Sequence, residues 1–158
     1  MQVRRICRRK YAGSPFSGEG GIKVAGRWHH AGHRIAYTSA TLSLAAWEVW
    51  AHAGERPLPT YISAMAEIPD ELTIEIIEEA TLPTEWRSYA PYPMALADLG
   101  TAWLERRSSA VLRVPSAMTS GEFNYLINPE HPAFPQIKQG PSAQYTFNPR
   151  ASQTRHPH

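Results

Sequence analysis

The stretch that decides the fold runs from Gly26 to Trp50 and reads GRWHHAGHRIAYTSATLSLAAWEVW. Its second half has the composition of a buried helix, with leucine, alanine, valine and tryptophan on nearly every side. Glu48 lies within that half and is the only side chain from Ser39 to Ala51 that can carry a charge. A carboxylate in an apolar setting is costly unless it is paired or hydrogen-bonded, so Glu48 needs a cationic or hydroxyl partner.

The residues around Glu48 predict a strand followed by a helix. Residues 34–39 alternate enough to form a short strand that carries Tyr37. Ser39 or Thr41 suits the N-cap of the helix, and Gly54 suits its end because glycine favours the C′ position. Glu48 then lies about two turns into the helix, on a helix face that is apolar along its middle and polar at both ends.

Size and composition describe one globular domain. The chain has 158 residues, 42% of them hydrophobic and 19% charged, which allows one packed core but not two comfortable domains. A net charge of +2 does not favour a nucleic acid or a membrane surface as partner. The single cysteine, Cys7, excludes an internal disulfide framework and fits a reducing compartment. No apolar run approaches the roughly 20 residues of a membrane span, so we expect a cytoplasmic protein.

The rest of the chain mixes strands and helices without regular alternation. Apolar spacing predicts a helix over 94–106 and a helix-like segment over 131–139, whereas 12–25 is expected to be a loop. Extended segments are predicted over 1–11, 58–68, 72–77, 110–114, 123–129 and 145–149. Because the order is not a strict βαβ repeat, we predict an α+β fold with a largely antiparallel sheet.

Three side chains of complementary chemistry follow one another at near-even spacing: Arg27, Tyr37 and Glu48. Arginine offers a rigid fork for phosphate or carboxylate, and tyrosine offers a flat face for stacking together with a hydroxyl. Glutamate accepts hydrogen bonds from sugar hydroxyls or stabilises a developing positive charge. The set suits a phosphorylated, aromatic, ribose-bearing ligand. The alternative is a structural ion pair between Arg27 and Glu48.

Other candidate groups are less informative. His29, His30 and His33 lie in a turn-like HHAGH stretch with neither an HExxH pattern nor a cysteine cluster, which does not favour a zinc site. Ser116 lacks the GxSxG context of a hydrolase nucleophile, but its place after a strand and a proline suits a hydroxyl pointing into a cleft. The basic residues among the first ten positions suit an arm that binds RNA or lipid or, more simply, a strand with solvated charges.

Several segments, taken together in chain order, form a more specific pattern. They are RRKYAG, FSGEGG, AGRWH, IAYTSATLSLAAWEVWAH, LGTAWL, AVLRVPSA, NYLINPEHPAF and FNPR. This pattern resembles the RES domain, the toxin component of a class of bacterial toxin–antitoxin modules. The resemblance covers residues 4–150 in the family's order, so we expect a RES domain over 1–150 and a disordered tail over 151–158.

The resemblance implies a set of site residues. The arginine, glutamate and serine that give the family its name correspond to Arg27, Glu48 and Ser116. The family's tyrosine corresponds to Tyr37, and its NYLxNP segment supplies Asn128. Arg27, Tyr37 and Glu48 are thereby expected to be catalytic. Besides Arg27 and Tyr37, Ser116 and Asn128 are expected to bind substrate.

The resemblance also implies a fold and an activity. The expected fold is α+β and ADP-ribosyltransferase-like, with mostly antiparallel split sheets and flanking helices around an NAD⁺ cleft. RES toxins deplete NAD⁺ by cleaving the nicotinamide–ribose bond, with phosphate or water as acceptor. NAD⁺ is expected as a substrate, without a cofactor or metal, because its nicotinamide is already a cationic leaving group. One departure is His29, where the family usually has asparagine, and it puts only a turn contact in doubt.

The resemblance leaves alternatives open. A protein-directed ADP-ribosyltransferase would use the same site, because surface loops choose the acceptor. An RNA-directed toxin is a further alternative, although the chain offers it no convincing acid–base pair or aromatic-basic platform. The family's partner is an antitoxin, typically a helix-turn-helix DNA-binding protein, and no direct contact of this chain with nucleic acid or membrane is expected. The antitoxin-contact surface and a homo-oligomer stay open.

Overall fold

The structure, a computed structural model, describes residues 1–53, 59–89 and 91–148. The expected tail over 151–158 and the expected helix-terminating glycine at position 54 lie outside these ranges. The strands are β1 (Gln2–Arg8), β2 (Ala36–Ser39), β3 (Tyr61–Glu67), β4 (Ile74–Ile76), β5 (Val111–Pro115), β6 (Phe123–Ile127), β7 (Lys138–Gln139) and β8 (Ala143–Tyr145). The helices are α1 (Glu19–Lys23), α2 (Leu42–His52) and α3 (Met94–Arg106), with short 3-10 turns at Arg9–Tyr11, Glu79–Thr81 and Phe134–Gln136.

The strands form one sheet that is nearly divided in two. Its order is β4-β5-β6-β2-β1-β3-β7, and β8 also pairs with β3. The β4–β5 pairing is parallel, whereas the other strand pairings are antiparallel. β1 pairs with β3 along its whole length, but β1 meets β2 at a single residue pair, Arg4 and Ser39. The predicted α+β class with a split, mostly antiparallel sheet is confirmed.

Arg5 bridges the two halves of the sheet beside that single pair. Its Nη1 donates a hydrogen bond to the backbone carbonyl of Tyr37 at 2.9 Å, and its Nε donates to the carbonyl of Pro15 at 2.6 Å. A strand carbonyl at the point where a ladder stops needs another donor, and the guanidinium supplies it. Burial lowers the pKa of Arg5, but an arginine stays charged. A cation is therefore fixed at the split.

α3 holds the loop that carries Arg27 against the sheet. Its buried face includes Leu96, Trp103 and Leu104, which belong to the same apolar cluster as Trp28. A Cβ added at Gly100 would lie 1.7 Å from the carbonyl oxygen of Trp28, so only glycine allows this approach. The helix bounds agree with the prediction for 94–106.

α2 is only partly buried. Thr41 caps its N-terminus by accepting a hydrogen bond from the Leu44 backbone N–H at 3.1 Å, as predicted. The outer face is not covered, because Leu42 is 37% exposed and Trp47 is 48% exposed. The expectation of a helix buried on nearly every side was therefore wrong. Glu48 is half-buried and lies at the split instead of in a closed core.

Three local predictions need correction. The expected loop over 12–25 contains α1, and the expected helix over 131–139 is a 3-10 turn followed by β7. Pro132 and Pro135 explain the second difference, because proline removes a helical donor and clashes with the preceding turn. The last strand lies at Ala143–Tyr145, earlier than expected. No helix in the described ranges is long and apolar enough to cross a membrane.

Candidate active site

A cavity of about 840 Å³ opens at the split in the sheet. Its walls come from β1, β2, the loop over 24–29 and α2, and they include Arg5, Arg27, Tyr37, Glu48, Tyr92 and Asn124. A volume of this size is within the range of small-molecule and cofactor clefts, roughly 300–1,000 Å³. The structure therefore brings Arg27, Tyr37 and Glu48, which belong to a loop, a strand and a helix, to one cavity.

The carboxylate of Glu48 is held through one of its two oxygens. Ser116 Oγ donates to Glu48 Oε1 at 2.9 Å, and Asn124 Nδ2 donates to the same oxygen at 2.7 Å. Ser39 Oγ donates in turn to Asn124 Oδ1 at 2.7 Å, which fixes the orientation of the amide. Within the described part of the chain, Glu48 Oε2 makes no hydrogen bond. One oxygen is therefore fixed, and the other is not engaged by the described residues.

Ser116 lies behind Glu48 and supports it. It is 1% exposed, and its Oγ accepts hydrogen bonds from the backbone N–H groups of Met118 and Thr119, both at 3.1 Å. Its single proton is therefore directed to Glu48. This geometry lets Ser116 orient the carboxylate of Glu48. The substrate contact expected from the resemblance stays a prediction.

Arg27 is anchored by neutral groups. Its Nη1 donates to the carbonyl of Trp86 at 2.7 Å and to that of Ser88 at 3.0 Å, and its guanidinium lies 4.8 Å from the ring centroid of Tyr92. Among the described residues, Arg27 and Glu48 form no ion pair. The structural ion pair considered above is thus not formed.

The charge of Glu48 nevertheless affects the pKa of Arg27. Burial lowers the pKa of Arg27, whereas Tyr92, Glu48 and Tyr37 raise it. The guanidinium Nε and Nη2 atoms make no hydrogen bond to the described parts of the chain. Arg27 is therefore a buried cation with two donating nitrogens available to an anion.

The hydroxyl of Tyr37 is already used inside the protein. It accepts a hydrogen bond from the Trp28 backbone N–H at 3.2 Å and lies 2.7 Å from His29 Nδ1. Burial is the largest cause of the raised pKa of Tyr37, so the hydroxyl is neutral. A Cβ at Gly26 would lie 2.6 Å from this oxygen, and glycine is needed there. What Tyr37 offers to the cavity is its ring.

Asn128 is placed away from the cavity lining. It is 1% exposed, its Nδ2 donates to the Leu104 carbonyl at 3.2 Å, and its Oδ1 accepts from the Glu130 N–H at 3.0 Å. Both ends of the amide thus stabilise the turn that follows β6. Asn128 is not among the residues that line the cavity, and the substrate contact expected from the resemblance stays a prediction.

The neighbouring histidines point to three different partners. His29 contacts Tyr37, His30 Nε2 lies 2.6 Å from Asp98 Oδ1, and His33 Nε2 lies 3.2 Å from Glu105 Oε1. In the described ranges, no three histidine, cysteine or acidic side chains are grouped as a metal site would need.

Arg5, Tyr92 and Asn124 are among the lining residues that sequence reasoning did not assign to the site. Arg5 was one of several arginines in a basic run, and Tyr92 lies in a proline-rich loop, so no local pattern marked either of them. Asn124 opens the NYLINP segment, whose second asparagine was chosen instead. Its pairing with Ser39 across β2 and β6 places it beside Glu48, which only the strand register reveals.

The split sheet and its cavity define an α+β protein of the ADP-ribosyltransferase-like fold. The RES domain family matches residues 2–148, and the chain belongs to this family, which confirms the resemblance seen in the sequence. It is 36% identical over 152 residues to "Toxin Res" of Yersinia enterocolitica, covering 95% of this chain and 99% of the relative. It is 32% identical over 146 residues to "Prs ADP-ribosylating toxin" of Sphingobium sp., covering 90% and 89%.

A solved structure has the same fold. The M. tuberculosis MbcT-MbcA toxin–antitoxin complex contains a chain that superposes with a TM-score of 0.74 at 17% identity, covering 97% of this chain and 87% of that one.

Proposed function

We propose that this protein is a toxin that cleaves the nicotinamide–ribose bond of NAD⁺. The observation that carries the proposal is the state of Glu48. Its carboxylate lines the cavity, two neutral donors hold one oxygen, and the other oxygen is left for a ligand. A preorganised negative charge of this kind stabilises an oxocarbenium-like transition state.

The other side chains fit the remaining parts of NAD⁺. Arg27 would donate to the pyrophosphate through Nε and Nη2, and Arg5 on β1 adds a second cation to the cavity lining. The ring of Tyr37 would pack against nicotinamide, because the hydroxyl is already satisfied. Two cations suit a ligand that carries two phosphate charges.

The proposed reaction breaks the bond between the ribose C1′ and the nicotinamide nitrogen. Nicotinamide leaves with both electrons of that bond, which cancels its positive charge, and the charge passes to the ribose ring. Glu48 Oε2 would accept hydrogen bonds from the ribose hydroxyls and stabilise that charge. At 4 Å and an effective dielectric constant of 20, the attraction is about 4 kcal/mol, enough for the 10²–10³ in rate that such a group commonly supplies.

Phosphate or water would then add to C1′ on the open side, and water would lose a proton to solvent. NAD⁺ is the substrate in this scheme, and no cofactor or metal is required. The test is to incubate purified protein with NAD⁺, with and without phosphate, and to identify the products by mass spectrometry. ADP-ribose 1″-phosphate identifies phosphorolysis, and ADP-ribose identifies hydrolysis. Intact NAD⁺ after prolonged incubation would refute the proposal.

Protein ADP-ribosylation is the second candidate, and one observation favours it. A relative that is 32% identical over 146 residues carries the name "Prs ADP-ribosylating toxin". The cleavage step would be the same, with a protein side chain in place of phosphate or water. Biotin-labelled NAD⁺ added to a bacterial lysate with the protein separates the two reactions. One strongly labelled protein band, together with slow turnover of free NAD⁺, would favour ADP-ribosylation.

A cognate antitoxin is the proposed partner, because the similar M. tuberculosis chain was solved in a toxin–antitoxin complex. We expect a helix-turn-helix DNA-binding protein in that role and action on the NAD⁺ of the cytoplasm. Induction of the chain alone should lower cellular NAD⁺ and stop growth, whereas Glu48→Gln should do neither. Normal growth with unchanged NAD⁺ despite soluble wild-type protein would contradict this expectation.

A further inference from the structure

The two functions of the Tyr37 hydroxyl, donor and acceptor, can be assigned from its neighbours. His29 Nε2 lies 3.2 Å from the Gly21 carbonyl oxygen, and a carbonyl only accepts, so Nε2 must carry the hydrogen. A neutral imidazole has one N–H, which leaves Nδ1 as an acceptor. The Tyr37 O–H therefore donates to His29 Nδ1 over 2.7 Å, and the Tyr37 oxygen accepts from the Trp28 N–H.

The surroundings of His29 keep its ring neutral. His29 is 2% exposed, and burial is the largest cause of its lowered pKa, to which His33 and His30 add. The carbonyls of Gly21 and Val24 act in the opposite direction. The acidic side chains of α3 do not reach the ring but pair with the other two histidines, Asp98 with His30 and Glu105 with His33.

Close packing leaves the ring pair little freedom. A Cβ at Gly26 would lie 2.6 Å from Tyr37 Oη and 3.2 Å from His29 Cε1, and a Cβ at Gly21 would lie 3.1 Å from His29 Nε2. The Tyr37 backbone is held at its other end by Arg5. His29 is thus the side chain that determines where the Tyr37 ring stands in the cavity wall.

We propose that His29 is a positioning residue that fixes the Tyr37 ring against the substrate, because its Nδ1 accepts a hydrogen bond from the Tyr37 hydroxyl. The inference rests on the proposed NAD⁺ cleavage for its kinetic consequences, but its geometry does not. Protonated His29 would carry hydrogen on both nitrogens, and the Tyr37 hydroxyl proton would lose its acceptor. Neutral His29 is therefore the active form, and activity falls as pH decreases through the His29 pKa.

The kinetic test combines three variants with a pH profile. His29→Ala removes the acceptor and is expected to lower kcat/KM for NAD⁺ about tenfold, the effect of one hydrogen bond. His29→Asn returns a short acceptor and is expected to recover most of that loss. It should also remove the acidic limb that wild type shows below the ordinary histidine pKa of about 6.5. In a Tyr37→Phe background, His29→Ala should cost nothing further.

A second readout needs no NAD⁺ cleavage. Long-range ¹⁵N–¹H NMR of the free protein is expected to show His29 as the Nε2–H tautomer, and His29→Ala should shift the Tyr37 ring resonances. An Nδ1–H tautomer, unchanged Tyr37 resonances or additive kinetic losses would overturn the positioning role. If wild type consumes no NAD⁺, the proposed function fails, and the NMR result alone then decides the role of His29.

Discussion

Removing the Ser116 hydroxyl tests whether activity depends on the orientation of the Glu48 carboxylate. Ser116→Ala deletes one of the two hydrogen bonds to Glu48 Oε1 and leaves the Asn124 bond at 2.7 Å in place. A hydrogen bond to a charged group contributes about 1.5–3 kcal/mol. Because Asn124 still holds the same carboxylate oxygen, we expect the transition state to lose stabilisation at the lower end of that range. That is about a tenfold loss in kcat.

The assay is the initial rate of NAD⁺ consumption over a range of NAD⁺ concentrations, well below the melting temperature of each variant. The loss should lie in kcat with KM little changed, because Ser116 is 1% exposed and is not among the residues that line the cavity. Ser116→Ala/Asn124→Ala should lose more than either single variant. It should not exceed the 10²–10³ loss that we expect for Glu48→Gln, because all three changes act through one carboxylate.

Ser109→Ala is the matched control. Ser109 is also buried, at 2% exposed, accepts from Trp103 Nε1 and donates to the Val111 carbonyl, both at 2.9 Å. Its loss should lower the free energy of unfolding to a similar degree without lowering kcat. Wild-type kcat in Ser116→Ala, beside an inactive Glu48→Gln, would refute orientation by this hydroxyl. An equal fall in kcat in Ser109→Ala would mean that the loss in Ser116→Ala comes from general destabilisation of the protein.

Three further substitutions probe the cavity and its support. Glu48→Gln keeps both bonds to the carboxyl oxygen, so the protein should stay folded by circular dichroism while NAD⁺ cleavage falls 10²–10³-fold; wild-type cleavage would disprove the assignment. Arg27→Lys keeps the charge but cannot hold two carbonyls and an anion together, so KM for NAD⁺ should rise at least tenfold, and an unchanged KM would exclude this phosphate contact. Gly100→Ala should cost more than about 3 kcal/mol in unfolding free energy, above ordinary overpacking, because its Cβ would lie 1.7 Å from a backbone oxygen. Gly13→Ala meets nothing within 4 Å and should be nearly neutral when the stability of both variants is measured by urea unfolding.

Sequence patterns predicted secondary structure well where it depends on neighbouring residues. The helix Met94–Arg106 follows from apolar spacing within a single stretch, and the Thr41 cap follows from the residue type at a helix start. The same reasoning failed where the signal is not local. Leu42 and Trp47 were expected to be buried because the helix is apolar, but its outer face has no covering element in the described ranges.

The sequence indicated that Glu48 needs a hydrogen-bonding partner, but it did not indicate which residues supply it. The expectation that Glu48 needs a cationic or hydroxyl partner is met by Ser116, which lies 68 residues away. Asn124, 76 residues away, was not foreseen. These contacts depend on the order β5-β6-β2 in the sheet, which brings the ends of distant strands to α2. No spacing within the sequence encodes that order. The family resemblance identified Glu48 and Ser116 as site residues but did not show how they contact each other.

Because Arg27 and Glu48 do not pair with each other, both charges remain available in the cavity. A direct ion pair would neutralise both groups, and a substrate would have to break it before using either charge. Instead, backbone carbonyls hold Arg27, and a hydroxyl and an amide hold Glu48. Each charge keeps one side unpaired, which costs stability in the empty protein. A ligand that is anionic at one end and becomes cationic at the other offsets that cost, and NAD⁺ at the point of cleavage has this distribution of charge.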